Sequence, residues 1–155
     1  MNFRRSLVGE SGAVVVWLSH AIALSSVSLL APPGWAQLVP DPSLGDESSV
    51  VVPDGAVNGL PTALIEGGAA RGSNLFHSFQ EFNVGTGQAV YFTNPIAIEN
   101  ILTRITGENL SNLDGLLGVT GAANLFLLNP NGVIFGPNAR LDISGSFLTS
   151  TGSRL

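Results

Sequence analysis

Residues 124–135 read Asn-Leu-Phe-Leu-Leu-Asn-Pro-Asn-Gly-Val-Ile-Phe, two short apolar runs on either side of a polar quartet. The runs cover residues 125–128 and 133–135, and the quartet covers residues 129–132. Apolar runs this short, when turn-forming residues bound them, are typical of β-strands rather than helices. The segment therefore predicts two strands joined by a tight corner.

The quartet suits a type I β-turn at each of its positions. Asn129 can hydrogen-bond the backbone from the first position, and Pro130 holds φ near the value that the second position requires. Asn131 is tolerated at the third position, and Gly132 takes the fourth without steric cost. Forming this corner would by itself be a sufficient structural role for these residues.

The composition of the 155-residue chain favours an ordered, single-domain, all-β protein. It contains 19 Gly and 9 Pro, with 45% hydrophobic and only 11% charged residues, a balance that argues against disorder. Many short apolar runs between Gly, Pro and Asn are typical of β-proteins. The net charge of −5, with six scattered Arg and no Lys, argues against a nucleic-acid-binding surface.

Residues 1–36 have the pattern of a secretory signal peptide. Two arginines give a positive start, an apolar stretch follows, and Gly34-Trp35-Ala36 supplies small residues at the −3 and −1 positions of a cleavage site. We expect cleavage between Ala36 and Gln37. The alternative is an uncleaved membrane anchor, since the apolar stretch is nearly long enough to span a bilayer. Several serines and a histidine dilute that stretch, which favours cleavage.

Residues 37–49 are rich in Pro, Gly and acidic residues and predict an irregular leader. Beyond them, strands and turns are expected at intervals of about eight to twelve residues, a spacing that suits a sandwich, a barrel or a β-solenoid. Turns are expected at residues 53–55, at Asn58-Gly59 and at Asp114-Gly115, and Pro61 argues against a regular return strand after Asn58-Gly59. The main predicted strands are residues 50–52, 64–66, 75–84, 88–93, 96–106 and 139–143.

Two echoes within the chain are compatible with stacked parallel coils. Asn74-Leu75-Phe76 recurs as Asn124-Leu125-Phe126, and Leu127 precedes the similar Phe147 by 20 residues. In a solenoid, such echoes arise because each coil stacks on the one before it and buries a common column. The repeats are too irregular to decide the architecture by themselves.

The sequence offers no constellation typical of catalysis or of metal binding. His77, the one histidine after the signal peptide, has no second His or Cys near it, so packing or a surface position is expected for it. Ser78 lacks both the Gly-x-Ser-x-Gly frame and an acid partner. Without Lys the chain cannot form a Walker-type phosphate loop. We therefore expect no enzymatic activity, cofactor or metal.

The quartet with the following Val133 resembles the Asn-Pro-Asn-Gly-Ile signature of the filamentous haemagglutinin N-terminal domain. This family is also known as the two-partner secretion or haemagglutination activity domain. Val133 replaces the usual Ile, and the chain stops at Leu155, before the second asparagine motif of the family. Further stretches agree with the family in order and spacing: residues 52–55, 74–79, 82–84, 90–92, 98–101, 104–107, 111–115, 136–139 and 145–147.

The resemblance implies an all-β fold, a right-handed parallel β-helix (a β-solenoid) with N-terminal cap strands, here incomplete at its C-terminal end. Residues 50–155 would be the N-terminal part of a two-partner secretion domain. Asn129, Asn131 and Asn138 would form ladders at the corners and satisfy buried backbone groups. Because terminal coils need caps, we expect the isolated mature segment to be marginally stable or prone to aggregate.

The resemblance also implies a function. The chain would be a secretion-targeting module of a large exported surface protein or adhesin, recognised by a cognate outer-membrane β-barrel transporter with periplasmic domains. It would pass through the periplasm of a Gram-negative-type bacterium and nucleate β-helix folding outside the cell. The absence of Cys suits a chain that is threaded unfolded through a pore. A missing downstream region would contact a host or neighbouring cell surface.

Two other functions stay open at this point. One is a stand-alone adhesin or surface-binding module. The other, ranked last, is a polysaccharide-active β-helix enzyme, for which no cluster of carboxylates and Arg is found on a strand face. In the family, the motif at Asn129, Pro130, Asn131, Gly132 and Val133 is tied to secretion, so these residues are the candidate site.

Overall fold

The computed structural model describes residues 36–152, so the predicted signal peptide up to Trp35 lies outside the described residues. Apart from one 3₁₀ helix, Pro42–Glu47, the regular structure in this part of the chain is β. The strands are β1 (Gln37–Pro40), β2 (Ser49–Val57), β3 (Leu60–Gly67), β4 (Ala69–Arg71), β5 (Asn74–Asn83), β6 (Ala89–Phe92), β7 (Asn100–Ile105), β8 (Ser111–Leu113), β9 (Leu116–Val119), β10 (Asn124–Leu128), β11 (Val133–Phe135), β12 (Arg140–Asp142) and β13 (Phe147–Ser150).

The strands form three sheets that the chain visits in turn. Sheet A contains β5, β7, β10 and β13 in parallel order, with β1 and β4 antiparallel to β5. Sheet B has the order β12-β9-β6-β3-β2, and sheet C pairs β11 with β8. From β7 onward each coil passes through sheets A, C and B before it returns to A, whereas the coil that begins with β5 reaches β8 of sheet C only through an isolated bridge between Val84 and Leu113. The architecture is therefore a β-solenoid of about four turns, as the resemblance implies.

The coils differ in length, which explains why the repeats in the sequence were irregular. Asn74, Asn100 and Asn124 occupy equivalent positions 26 and 24 residues apart, and Ser146 follows after a further 22. Phe147 pairs in register with Leu125 rather than with Leu127. The echo between Asn74-Leu75-Phe76 and Asn124-Leu125-Phe126 thus marks equivalent positions, whereas the proposed echo between Leu127 and Phe147 is two residues out of register.

Inward-facing side chains of sheet A form the expected common column. Leu75, Ile101 and Leu125 lie in register on β5, β7 and β10 and are almost completely buried. The aromatic segment of residues 75–84 is a strand, as expected, because its inward rings pack together. Phe79 and Phe82 meet edge to face at 5.3 Å, and Phe82 stacks on Phe92 at 5.9 Å between ring centroids. Such aromatic pairs stabilise the core by more than the burial of their surface alone, and their preferred geometry favours one arrangement of the rings.

The N-terminal segment corrects the prediction of an irregular leader. Residues 37–40 form β1, which pairs with residues 79–83 of β5, and the 3₁₀ helix follows at once. Leu38 packs against the core. Asp41 caps the helix by accepting a hydrogen bond from the Ser43 N–H at 2.7 Å. Pro and Asp suggested an irregular segment, but here they begin a capped helix. The strand before the helix forms because β5, about 40 residues further along the chain, pairs with it.

The hairpin of β2 and β3 also differs from expectation. Residues 53–55 do not turn the chain, because β2 continues to Val57 with an irregularity in register between Val52 and Gly55. The reversal is at Asn58-Gly59, where φ is 51° and 79°, values that Asn and Gly tolerate in a two-residue hairpin loop. Pro61 does not prevent a return strand. It pairs with Ala56, and β3 meets its other neighbour β6 only from Ala63 onward, so no ladder bond is lost.

A tyrosine on sheet B ties three successive coils together. Tyr91 of β6 lies in register with Gly118 of β9, which is in register with Asp142 of β12. A Cβ at Gly118 would lie 2.3 Å from the Tyr91 ring, so only glycine lets the ring cross that strand. The Tyr91 hydroxyl donates to Asp142 Oδ2 at 2.5 Å. Burial, as the main cause, and this hydrogen bond, as the second, raise the pKa of Tyr91 to about 12.

We expect Tyr91→Phe to lower the free energy of unfolding by about 1–2 kcal/mol, because a hydrogen bond to a charged acceptor is lost. Urea unfolding followed by circular dichroism would measure it. Asp142→Ala should cost a similar amount, and the double variant should cost less than the sum, since both changes remove the same bond. Fully additive losses would contradict the coupling.

Candidate functional site: the corner at residues 129–133

The predicted turn is present between β10 and β11. The Gly132 N–H donates to the Asn129 carbonyl at 3.0 Å, the bond that closes a four-residue turn. The Asn131 N–H donates to Asn129 Oδ1 at 2.9 Å, so the side chain at the first position stabilises the turn as expected. Gly132 has φ of 119°, in a region that favours glycine. The sequence pattern was sufficient to find this corner.

Asn129 is fully buried, with 0% of its surface exposed. Its Nδ2 donates to the Asn109 carbonyl and to Ser111 Oγ, both at 3.0 Å on the preceding coil. Its backbone N–H donates to the Ser150 carbonyl on the following coil at 3.0 Å. The Asn129 amide is therefore saturated by bonds within the protein and joins three successive coils.

The remaining residues of the motif divide between inside and outside. Pro130 and Asn131 are exposed, and Val133 packs against the core. Asn131 Nδ2 donates to the Gly107 carbonyl at 2.8 Å, and the Ser111 N–H donates to the Gly132 carbonyl at 3.0 Å. In the folded domain, Pro130 and the exposed part of Asn131 are thus the parts of the quartet that another molecule could contact.

The asparagine ladder lies elsewhere than predicted, although Asn129 and Asn131 do donate to backbone carbonyls of the preceding coil. Asn129, Asn131 and Asn138 do not bond to one another along successive coils. The ladder is formed by Asn74, Asn100 and Asn124, whose side-chain amides are linked at 3.0 and 2.9 Å. In the sequence, the ladder is marked by an Asn that precedes two apolar residues, as in the repeat of Asn-Leu-Phe at Asn74 and Asn124. Asn100 was missed because Ile-Leu follows it instead of Leu-Phe.

Asn138 instead bonds a carboxylate at another corner. Its backbone N–H donates to Asp114 Oδ1 at 2.8 Å, and the Thr86 hydroxyl also donates to Asp114. These hydrogen bonds, that from Thr86 first, lower the pKa of Asp114 below its usual value. The acid therefore stabilises a corner that joins three coils.

The predicted cleavage site lies at the start of the described residues, beside the first described strand. Ala36 packs against the core, and Gln37 opens β1 opposite Asn83. Cleavage itself stays a prediction. In residues 36–152, no helix is long and apolar enough to cross a membrane.

His77 is a core residue rather than a surface one. It is 2% exposed, and Nδ1 lies 2.9 Å from Ser49 Oγ. Within the described part of the chain, no group of three or more His, Asp or Glu side chains is placed to hold a metal ion. The feature that sequence reasoning missed is the Ser49 contact, since nothing local connects residues 28 positions apart.

Comparison with known proteins identifies the domain type. The family model described as the TPS secretion domain matches residues 36–155. A heme/hemopexin-binding protein of Haemophilus influenzae is 35% identical over 72 residues, which are 46% of this chain. The matched segment is 8% of that relative, so the chain spans only a small part of its length.

Proposed function

The chain belongs to the TPS secretion domain family, and from that membership we propose that a cognate outer-membrane transporter recognises residues 37–57 in extended form, before the domain folds. The family match and the relative make the chain a secretion-targeting module of an exported two-partner secretion protein. Both point to a secreted binding protein rather than an enzyme. Family members are exported to the cell surface or extracellular space of Gram-negative bacteria, and we propose the same destination here.

Exposed apolar side chains on the cap strands support this proposal. Val39 on β1 and Val50 on β2 are 36% and 50% exposed. These side chains are not enclosed in the folded core and are therefore accessible to a partner. An extended segment can pair with the edge of a partner's sheet, where backbone bonds give affinity and pockets for its apolar side chains give specificity.

The order of pairing leaves time for such recognition. β1 pairs with residues 79–83, so its partner emerges only after some 40 further residues have been exported. Until then β1 has an unpaired edge that another sheet can bind. When β5 arrives, β1 pairs within the domain instead, which would release the transporter.

Stacking then favours outward movement. Leu113 and Leu117 are 1% exposed because a further coil covers them, whereas their in-register partners Phe135 and Leu141 are 46% and 48% exposed. Each added coil therefore buries the inward face of the one before it, and burial of apolar surface is favourable. We propose that this gain opposes return of the chain into the transporter.

The test is export of the full chain fused to a reporter enzyme, in a bacterial host with or without the cognate transporter. Val50→Asp should lower the stability of the purified domain by only about 0.2–1 kcal/mol, because Val50 is exposed but lies opposite Glu66, and it should reduce reporter in the medium at least tenfold. Leu148→Asp is the matched control, because Leu148 is 45% exposed on β13, far from the cap in sequence, and it should be exported normally. Mass spectrometry of the exported protein should find Gln37 as its first residue.

Three results would count against the proposal. Wild-type export of Val50→Asp would show that the cap strands are not read in extended form. Equal impairment of Leu148→Asp would show that export responds to any surface charge on a strand. Transporter-independent appearance in the medium would remove the partner altogether.

A surface-binding module is the second candidate, and one observation favours it. Phe76, Leu102 and Phe126 form an in-register, half-exposed apolar stripe on the outward face of sheet A. A groove of about 430 Å³ lies over part of this stripe. A labelled exported chain that binds to cells, and loses that binding in Leu102→Ser, would favour this function.

A further inference from the structure

His77, on β5, lies where the N-terminal hairpin of β2 and β3 (the cap) packs against the first of the stacked coils. Its ring is buried between strands, with centroids 5.3 Å from Phe92 and 6.4 Å from Phe79. Gly68, between β3 and β4, packs so closely that an added Cβ would lie 2.8 Å from His77 Cε1. The imidazole therefore has apolar and backbone neighbours and little room.

A buried polar pair connects β2 to β5 at this point. His77 Nδ1 lies 2.9 Å from Ser49 Oγ, and the same oxygen accepts the Ser78 N–H at 3.3 Å. The Ser49 hydroxyl can donate one hydrogen bond and accept two, so it either donates to Nδ1 of a neutral ring or accepts from an Nδ1–H. Ser49 is the first residue of β2 and is 4% exposed.

The surroundings offer no compensation for a positive charge. Thr103, opposite His77 on β7, is uncharged, and its Oγ1 and His77 Nε2 are both buried without a partner among the described residues. Arg71 and Arg104 line the outer groove beside the same strand, and the carboxylate near Arg71, Glu47, forms an ion pair with it at 2.6 Å. Ser49, Gly68, Phe79 and Phe92 complete the contacts.

We propose that His77 is a proton-sensitive latch that holds the N-terminal hairpin, β2 with β3, against β5. The neutral ring fits this apolar site, and the hairpin stays packed on β5. The protonated ring carries N–H groups on both nitrogens. Its Nδ1–H can still donate to Ser49 Oγ, but its Nε2–H and its positive charge are buried without a partner among the described residues. Acid therefore detaches the cap from the first coil.

The pH range follows from the two states of the ring. Burial lowers the pKa of His77 from 6.5 to about 4. The unfolded chain then binds more protons between these values, so stability is fully present above pH 6.5 and is lost as the pH falls toward 4. Between pH 7 and pH 5, the ratio of folded to unfolded protein should fall about 20-fold.

The carboxylates act in a different range, which isolates the histidine. Hydrogen bonds lower the pKa of Asp41 and of Asp114, and the pKa of Glu47 is lowered chiefly by Arg71, all from values near 4. The stability that these carboxylates contribute is lost only as the pH falls below about 4, whereas the contribution of His77 is lost between pH 6.5 and about 4. His77 is the one histidine in residues 36–152.

Urea unfolding of the full chain, followed by circular dichroism at pH 7 and pH 5, tests the latch without the transporter. In the wild type, the ratio of folded to unfolded protein should fall about 20-fold from pH 7 to pH 5. In His77→Gln this ratio should not change, because Gln can hydrogen-bond Ser49 but does not titrate. Hydrogen exchange, corrected for intrinsic rates, should accelerate at the Gly68 amide at pH 5 more than at the Leu125 amide.

A wild-type stability that is flat between pH 7 and pH 5, or a His77→Gln variant with the wild-type slope, would overturn the proposal. If His77→Gln does not fold, NMR titration of His20→Gln follows the His77 ring directly, because this variant has one histidine. A midpoint near 4 supports the latch, and one near 6.5 excludes it.

Discussion

Asn129→Ala is expected to lower the free energy of unfolding by about 3 kcal/mol and to abolish the appearance of folded domain outside the cell. The change removes an amide that is fully buried and bonded to Asn109 and Ser111, and it leaves the Ser111 hydroxyl and the Asn131 N–H without their partners. Buried groups left unpaired cost more than the bond itself contributes. Urea unfolding of the purified chain and the amount of reporter in the medium are the two measurements.

Pro130→Ala is the matched control within the same turn. Pro130 is exposed and has no side-chain polar group, so only its restriction of the unfolded chain is lost, at a cost of about 0.5–1 kcal/mol. If the corner acts through folding alone, export should follow stability, and Pro130→Ala should be exported. Export lost in Pro130→Ala at nearly wild-type stability would instead show that a partner reads the exposed tip.

Gly115→Ala should have a similarly large effect for a different reason. Gly115 lies at the corner between β8 and β9, directly over the preceding coil. An added Cβ would lie 2.3 Å from the Gly85 carbonyl and 2.6 Å from the Gln88 carbonyl. These atoms belong to backbone that cannot rotate away, and Leu116 N–H must still reach the Gln88 carbonyl. We expect a loss of about 3 kcal/mol, measured by urea unfolding.

Gly59→Ala separates this steric effect from conformational strain. Gly59 has φ of 79°, but nothing lies within 4 Å of a Cβ placed there. It should therefore lose about 1 kcal/mol from the unfavourable backbone angle alone. Equal losses in the two variants would mean that the coils can separate at the Gly115 corner, contrary to the close stacking described above.

Much of the local structure was predictable from residues near one another in the chain. The Asn129–Gly132 turn and the Asn58-Gly59 reversal follow from backbone preferences. Residues 75–84 were predicted as a strand because no capping residues frame a helix there, although the spacing of Phe76, Phe79 and Phe82 suits a helix. These properties depend on only a few consecutive residues. The β-solenoid itself followed from the resemblance to a family, because turn spacing was equally compatible with a sandwich or a barrel.

The contacts between coils were decided by the tertiary structure alone. Residues 37–40 become a strand only because β5 supplies a partner, and Phe147 aligns with Leu125 because coils of 26, 24 and 22 residues shift the register. Asn129 and His77 are buried through bonds to residues that lie 18 to 28 positions away in sequence. The sequence by itself determined which side chains are apolar and most of the places where the chain turns, although not at residues 53–55. Only stacking decided which polar groups the core encloses, because coil length sets which residues come to lie opposite one another.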